Sequence, residues 1–393
     1  MSDKVNVFDP IQGEELIKVT EYDLLGKLPD PFICDDGSRM DDPAKWEERR
    51  QEIYRTAIEL HYGEMPPEPE FLEIEPGCIT DYIYVHNYRI TTGTKANPVT
   101  FTMYVHRPRN FDGLLPVVID GDGCFEHYFC SDYVNTFLKH GVMLVSFNRT
   151  ELMPDVNYNT RKVGQLSKAY PDYNFGAIGA WAWGYSRCVD ALEKLGIADM
   201  SCIAFTGHSR GGKTAMLAGA LDKRAAIVNP NETCAGACSC YRLHIKAIGE
   251  NGVERPSETL KNLLSEFDFW MGEGMAKYAD CEEKLPFDTH FLKAMVAPRK
   301  LFVSEAASDI WANPVGSWQT TMAAGEVFKF LGVPENLYWY FRSGYHGHKP
   351  EDVEMLVNII KHHQGKEELN DKFYRLPFKQ PEYIFDWRAP ETK

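Results

Sequence analysis

The chain has 393 residues, and because 44% of them are hydrophobic it can fill a buried core, which excludes a disordered protein. The formal net charge of −15 argues against nucleic acid or an anionic membrane as a partner, although a local cationic pocket would still accept an acidic substrate. No run of about 18 apolar residues is present, so we expect no membrane span.

Residues 1–6 lack the basic and apolar regions of a signal peptide. We therefore expect a cytoplasmic protein, or a secreted one from which a signal was removed. The ten cysteines are mostly scattered, which indicates buried thiols rather than a disulfide framework. A zinc site at Cys234, Cys238 and Cys240 is the alternative, but these residues lack the paired Cys-x-x-Cys spacing of structural zinc. We expect neither a metal nor a cofactor.

The first 75 residues are polar and rich in proline, with one helical stretch at 44–62. We interpret residues 1–75 as an N-terminal extension packed on a main domain that spans 76–393. At the start of the main domain, the segments 79–91 and 99–107 alternate enough in polarity to predict an antiparallel hairpin.

Short apolar runs and helical segments alternate along the rest of the chain. The runs, typical of strands buried on both faces, are 115–120, 142–147, 201–206, 225–228, 300–304 and 337–341. We expect helices at 177–195, 213–221, 256–269, 317–331 and 350–362. This alternation predicts an α/β protein with a mainly parallel central sheet and helices on both faces, a three-layer sandwich.

A candidate nucleophile, Ser209, stands at the centre of Gly207-His208-Ser209-Arg210-Gly211. Gly-x-Ser-x-Gly is a weak pattern by itself, but here a buried strand precedes it and a helix follows it. That context predicts a nucleophile elbow, a sharp turn that presents the serine hydroxyl above the sheet edge. Any Cβ at the two glycines would crowd the adjoining strand and helix. The elbow indicates an α/β-hydrolase fold.

A serine nucleophile needs a base, which in this fold follows the final strand. The loop after the run 337–341 offers His346 and His348. We favour His346 because it is closer to the strand end and is flanked by Gly344 and Gly347, which suits a tight loop directed at the site.

Two acids compete to orient the base. Asp309 follows the run 300–304, the usual position of the third member of such a triad, whereas Glu232 follows the run 225–228. Both lie at the carboxyl ends of strands, where a parallel sheet builds its site. Position alone leaves the choice open.

An oxyanion hole needs hydrogen-bond donors near the developing negative charge. The amide of Arg210, directly after the nucleophile, is the first expected donor, and the loop 121–124 is a candidate for another. Lys213 lies one helical turn past Ser209 and could face the same mouth, although a solvated lysine is the ordinary expectation.

The segment 206–215, Thr-Gly-His-Ser-Arg-Gly-Gly-Lys-Thr-Ala, resembles the nucleophile segment of the glucuronoyl esterases, carbohydrate esterase family 15, in their bacterial form. The resemblance extends to a Trp-rich helix at 176–187, an acid loop at 229–232, an Asp-x-Trp segment at 308–314 and a histidine loop at 344–347. It covers roughly residues 80–360 in order.

This resemblance implies a serine carbohydrate esterase that hydrolyses esters of 4-O-methylglucuronic acid in xylan and lignin material. It implies that Arg210 helps to stabilise the oxyanion, that Lys213 binds sugar hydroxyls and that Trp311 stacks over the sugar.

The same resemblance raises Glu232 as the triad acid, keeps Asp309 as a second or supporting acid, and favours His346 over His348. The family commonly carries a Glu or Gln about fifteen residues past the acid, but Ala247 stands there in this chain. The alternatives are an acetyl-xylan or other sugar acetyl esterase with the same triad and, from another class, an inactive carbohydrate-binding relative.

Overall fold

The computed structural model describes residues 13–77, 85–109, 111–125, 131–158 and 161–391. The strands are β1 (Lys18–Leu24), β2 (Phe71–Pro76), β3 (Val85–Gly93), β4 (Pro98–His106), β5 (Leu115–Asp120), β6 (Met143–Phe147), β7 (Ala198–His208), β8 (Ile227–Asn231), β9 (Leu243–Ile248), β10 (Glu254–Pro256), β11 (Lys300–Ala306) and β12 (Leu337–Arg342). The helices are α1 (Trp46–Ile53), α2 (Glu59–Tyr62), α3 (Ser131–Lys139), α4 (Gly164–Ala169), α5 (Ala177–Leu195), α6 (Arg210–Leu221), α7 (Leu260–Phe267), α8 (His290–Ala294), α9 (Pro314–Phe330) and α10 (Pro350–His363).

A large sheet forms the centre of the molecule. Its nine described strands follow the order β12-β11-β8-β7-β5-β6-β4-β3-β2. The strands from β12 to β6 run parallel, and β4, β3 and β2 continue the sheet in antiparallel fashion. Both β5 and β6 are buried along their whole length, because helices cover both faces of the sheet. The predicted α/β-hydrolase architecture is confirmed.

The helices form two groups around this sheet. In one group α3 packs against α10, and in the other α5, α6, α8 and α9 pack on one another in turn. The parallel strands all end at the same edge, so the loops after β7, β8, β11 and β12 meet there. This edge is the expected place for a catalytic site.

Most predicted boundaries agree with the structure; β5 and α5 coincide with the predicted 115–120 and 177–195. The hairpin is confirmed as β3 and β4, although residues 79–84 lie outside the described part of the chain. The helix predicted at 256–269 is wrong at its start, because Glu254–Pro256 pairs with β9 as β10. The helix begins instead at Leu260, after a capping box in which Thr259 Oγ1 accepts from Asn262 N at 3.2 Å.

The N-terminal segment makes extensive contacts with the remainder of the molecule. β1 pairs antiparallel with β9, and Arg50 donates to the carbonyls of Met295 (3.1 Å) and Ala220 (2.7 Å). The predicted helix at 44–62 is present as α1 and α2, joined by a π-helical turn at Tyr54–Ile58. β2, at the expected domain boundary, belongs to the main sheet. Residues 1–12 lie outside the described residues, and the division at residue 75 stays a prediction.

Two expectations drawn from composition concern membranes and cysteines. None of the helices in the described ranges has both the length and the apolar character needed to cross a bilayer. The eight cysteines in those ranges are free thiols, as expected, and five of them are buried. Cys78 and Cys130 lie outside the described residues.

Candidate active site

Ser209 occupies the sharp turn between β7 and α6. Its φ of 56° and ψ of −121° are strained for a residue with a side chain, as in a nucleophile elbow. The Ser209 amide donates to the Asn231 carbonyl at 2.9 Å, which joins the turn to the end of β8. The Ser209 carbonyl accepts from the Lys213 amide at 2.9 Å and starts the helix. Backbone contacts on both sides therefore fix the serine at the sheet edge.

The glycines that flank the serine are required by close packing. A Cβ on Gly207 would overlap the backbone of Gly211, and a Cβ on Gly211 would overlap the carboxylate of Asp122. That carboxylate is buried, accepts from the His208 amide at 2.7 Å and pairs with Arg149. The loop after β5 thus stabilises the elbow through the hydrogen bond that Asp122 accepts from the His208 amide.

His346 lies on the loop that follows β12. The loop is tied to its neighbours, because the Gly344 amide donates to Glu250 Oε1 at 2.6 Å and the Gly344 carbonyl accepts from the Ser308 amide at 2.9 Å. Arg342 donates to the Tyr345 carbonyl at 3.0 Å. These bonds hold the imidazole in a fixed position relative to the ends of β11 and β12.

The structure brings His346 together with both candidate acids. Its Nδ1 atom lies 2.6 Å from Asp309 Oδ2 and 3.4 Å from Glu232 Oε2. Glu232 Oε2 also accepts from the Gly347 amide at 2.9 Å, and its other oxygen pairs with Arg342. Asp309 is therefore the closer partner of the imidazole, whereas Glu232 additionally anchors the histidine loop.

The His346 ring lies close to the elbow, as its contact with His208 shows. The rings of His208 and His346 are 4.3 Å apart between centroids, so the imidazole lies beside the residue that precedes Ser209. Because the acids engage Nδ1, Nε2 is the nitrogen left for the serine. His348 is buried instead against Tyr133, with a centroid distance of 4.9 Å. The structure therefore brings His346, and not His348, to the acids.

The charges of this cluster favour a protonated histidine. Burial raises the pKa of the Glu232 carboxyl to about 8, against the opposing effects of His346 and Arg342. Burial lowers the pKa of the His346 imidazole, but its hydrogen bonds to Asp309 and Glu232 outweigh this effect and raise that pKa to about 10. The acids thus stabilise the imidazolium, the form that a catalytic histidine takes after it has accepted the serine proton.

Arg210, the first residue of α6, has a side chain that is held by an acid and three aromatic rings, of which Phe125 is the most distant at 5.7 Å. Its Nη1 lies 2.9 Å from Asp155 Oδ2, and its guanidinium stacks over Trp270 (4.6 Å to the centroid) and Phe267 (5.1 Å). Trp270 Nε1 donates to the other oxygen of Asp155 at 2.8 Å. The first amides of a helix have no partner within it, so the Arg210 N–H can face an oxyanion. Asp155 and Trp270 were not expected from the sequence, because they lie far from the elbow in the chain.

The loop 121–124 was the expected source of a second oxyanion donor. Its amides are engaged within the protein: those of Gly121 and Asp122 donate to the Tyr185 hydroxyl and the Asp120 carboxylate, both at 2.8 Å. The Gly123 amide donates to a carbonyl of β6 at 3.2 Å. These three amides therefore do not offer the expected second donor.

Lys213 and Trp311 both lie near Glu258, an acid that was not expected from the sequence. Lys213 is buried, with 2% of its surface exposed, and its Nζ donates to the Thr233 carbonyl. Trp311 is 42% exposed, and its carbonyl accepts from the Glu258 amide at 2.9 Å. Burial raises the pKa of the Glu258 carboxyl, and the nearby Lys213 ammonium opposes this shift. Glu258 stands 26 residues after Glu232, too far along the chain for the expected spacing to find it.

Comparisons with known proteins identify relatives of this chain. The family model described as "Glucuronyl esterase, fungi" matches residues 90–332. The chain is 30% identical to a 4-O-methyl-glucuronoyl methylesterase of Hypocrea jecorina over 93% of its own length and 76% of the relative's. It is 29% identical to a 4-O-methyl-glucuronoyl methylesterase of Schizophyllum commune, over 92% and 90% of the two chains.

Solved structures give the same result. A carbohydrate esterase family 15 glucuronoyl esterase from Caldicellulosiruptor kristjansonii superposes with a TM-score of 0.81 at 27% identity, covering 92% of this chain and 97% of the other. The glucuronoyl esterase catalytic domain from Hypocrea jecorina gives a TM-score of 0.76 at 25% identity, covering 98% and 100%. The resemblance found in the sequence is confirmed, and the chain belongs to the glucuronyl esterase family of carboxylic ester hydrolases.

Proposed function

We propose that this chain is a serine esterase that cleaves esters of 4-O-methylglucuronic acid, with Ser209 as the nucleophile and His346 as the base. The relatives from Hypocrea jecorina and Schizophyllum commune are 4-O-methyl-glucuronoyl methylesterases, which suggests the substrate class. The observation that carries the proposal is the 2.6 Å contact between His346 Nδ1 and Asp309, beside an elbow serine and a second acid.

In the proposed reaction the Ser209 hydroxyl attacks the ester carbonyl while His346 Nε2 accepts its proton. Asp309 and Glu232 stabilise the resulting imidazolium, and the amide and side chain of Arg210 stabilise the oxyanion. The imidazolium then protonates the leaving alcohol. Water, activated by the same histidine, hydrolyses the acyl-enzyme and releases the uronic acid.

We assign the sugar to the side of the site that carries Lys213, Glu258 and Trp311. A partly exposed indole offers a flat apolar face to a pyranose ring, and the ammonium and carboxylate offer hydrogen bonds to its hydroxyls. In this proposal Glu258 makes the sugar contact that a Glu or Gln about fifteen residues past the acid makes in the family. This chain has Ala247 at that spacing.

The test compares benzyl glucuronate with an acetylated xylo-oligosaccharide, using the purified chain and its Ser209→Ala variant. We expect hydrolysis of the glucuronate ester by the parent chain and a loss of at least about 10³-fold in the variant. Activity on the acetyl ester alone would instead establish a sugar acetyl esterase. If a fluorophosphonate probe failed to label Ser209, the chain would be an inactive carbohydrate-binding relative.

Three broader expectations belong to the same proposal. The net charge of −15 disfavours nucleic acid and anionic membranes as partners, so the carbohydrate ester is the partner we propose. The location, either cytoplasmic or secreted with a signal removed, stays a prediction. Residues 76–393 are proposed to form the catalytic domain, with 1–75 as an extension packed on it.

A further inference from the structure

Cys234, Cys238 and Cys240 were the candidate zinc ligands in the sequence, and the fold gives them different surroundings. Cys240 Sγ lies 3.6 Å from the Asp288 carboxylate. In the described part of the chain the three thiols do not come together as a ligand group, but Cys234 does form one with Asp309 and His346. Cys234 has a φ of 56°, and its Sγ lies 3.9 Å from the carbonyl of Glu232, one of the two acids beside His346.

The donor atoms of Cys234, Asp309 and His346 all lie within 4.8 Å of one another. A thiolate, a carboxylate and an imidazole form a ligand set that Zn²⁺ favours, and three protein ligands leave a fourth position open. In a tetrahedral zinc site the ligand atoms are about 3.3–3.6 Å apart. The observed positions therefore require only small side-chain movements to receive an ion.

Solvent reaches the cluster through His346. Its side chain is 40% exposed, whereas those of Glu232 and Asp309 are buried. A cleft of about 640 Å³, lined by Tyr345, His346 and Lys349 among others, opens beside the imidazole. A hydrated ion can therefore approach the imidazole from this cleft, whereas Cys234 and Asp309 are buried and do not line it.

We propose that Cys234, Asp309 and His346 form an inhibitory site for a zinc-like divalent ion. The ion binds His346 Nδ1 in place of its proton, which passes to solvent, and Nε2 stays protonated. The thiol proton of Cys234 passes to solvent, and no group is oxidised or reduced. With a proton on Nε2 the imidazole cannot accept the proton of Ser209, so the ester is not attacked. The effect on activity rests on the proposed function, whereas metal binding does not.

The site is tested with the purified full chain. We expect Zn²⁺ to inhibit hydrolysis of benzyl glucuronate and EDTA to restore it. With Cd²⁺ we expect an ultraviolet charge-transfer band from one thiolate, and a ¹¹³Cd resonance whose shift corresponds to a single sulfur ligand. Cys234→Ser should weaken inhibition by at least about tenfold and abolish that band.

Cys281→Ser is the matched control, because Cys281 is partly exposed and bonds to the Lys277 carbonyl at 3.3 Å, away from the triad. This variant should keep both the inhibition and the cadmium signals. Equal inhibition of parent and Cys234→Ser, or a ¹¹³Cd shift without sulfur, would overturn the site. If the parent hydrolyses no ester, the proposed function fails, and the cadmium signals alone then decide the metal site.

Discussion

At the residue scale, the two acids beside His346 have different tasks. Asp309 makes the shorter contact with Nδ1, whereas Glu232 is also bonded to the Gly347 amide and to Arg342. We expect Asp309→Asn to lower kcat by about 10²- to 10⁴-fold with a small change in KM, because an amide cannot balance the imidazolium. Steady-state kinetics on a glucuronate ester measure this effect.

Glu232→Gln is the comparison for that variant. It removes one of the two buried carboxylates that pair with Arg342 and leaves Asp352 as the other, so we expect a smaller loss of kcat than in Asp309→Asn but a larger loss of thermal stability. A larger kcat loss in Glu232→Gln, with unchanged stability, would make Glu232 the direct triad acid. The sequence was enough to predict that both acids lie at strand ends. Only the distances from His346 Nδ1 to each acid in the folded protein show which of them contacts the imidazole more closely.

The environment of Arg210 leads to a second residue-scale prediction. Asp155 holds its guanidinium over Trp270, and Trp270 in turn donates to Asp155. Asp155→Asn removes the charge that orients Arg210, so we expect kcat to fall by about tenfold and KM to change less. Asp172→Asn, at an exposed position, should leave both constants unchanged. Equal losses in both variants would exclude a positioning effect.

At the element scale, the elbow exists because β7, Ser209 and α6 pack with no space for a side chain at the flanking glycines. A Cβ at Gly211 would overlap the Asp122 carboxylate, which is buried and paired with Arg149. We expect Gly211→Ala to lower the free energy of unfolding by about 2 kcal/mol or more, measured by denaturant titration. Gly26→Ala, whose Cβ would lie 3.7 Å from Glu283, is the matched control. An equally stable Gly211→Ala chain would refute this explanation of the pattern.

The elements predicted best from the sequence are those in which every residue has the same environment. β5 was delimited correctly because burial on both faces makes a strand uniformly apolar. β1 was missed, because most of its residues are exposed and its partner β9 lies more than 200 residues further along the chain. The long-range pairing that defines such a strand leaves no signal in the polarity pattern of the strand's own residues.

At the scale of the whole molecule, the fold encloses histidines that must stay neutral. Burial lowers the pKa of His290 to about 4, and burial likewise lowers those of His61 and His106 to about 3 and about 4. In the unfolded chain a histidine binds a proton below about pH 6.5. As the pH falls from about 6.5 to 4, these histidines therefore bind protons in the unfolded state but not in the folded state, and the free energy of unfolding decreases.

His290 offers a direct test of this acid sensitivity. Its Nε2 lies 2.9 Å from the Pro29 carbonyl, and the amide of a glutamine could donate to the same oxygen. We expect His290→Gln to be less stable than the parent chain at pH 7, with a gap that narrows by about 2 kcal/mol at pH 5. Denaturant titrations at both pH values measure the gap. His363→Gln, at an exposed position, should show the same pH dependence as the parent. A gap for His290→Gln that stayed constant would show that this buried imidazole does not drive the loss of stability in acid.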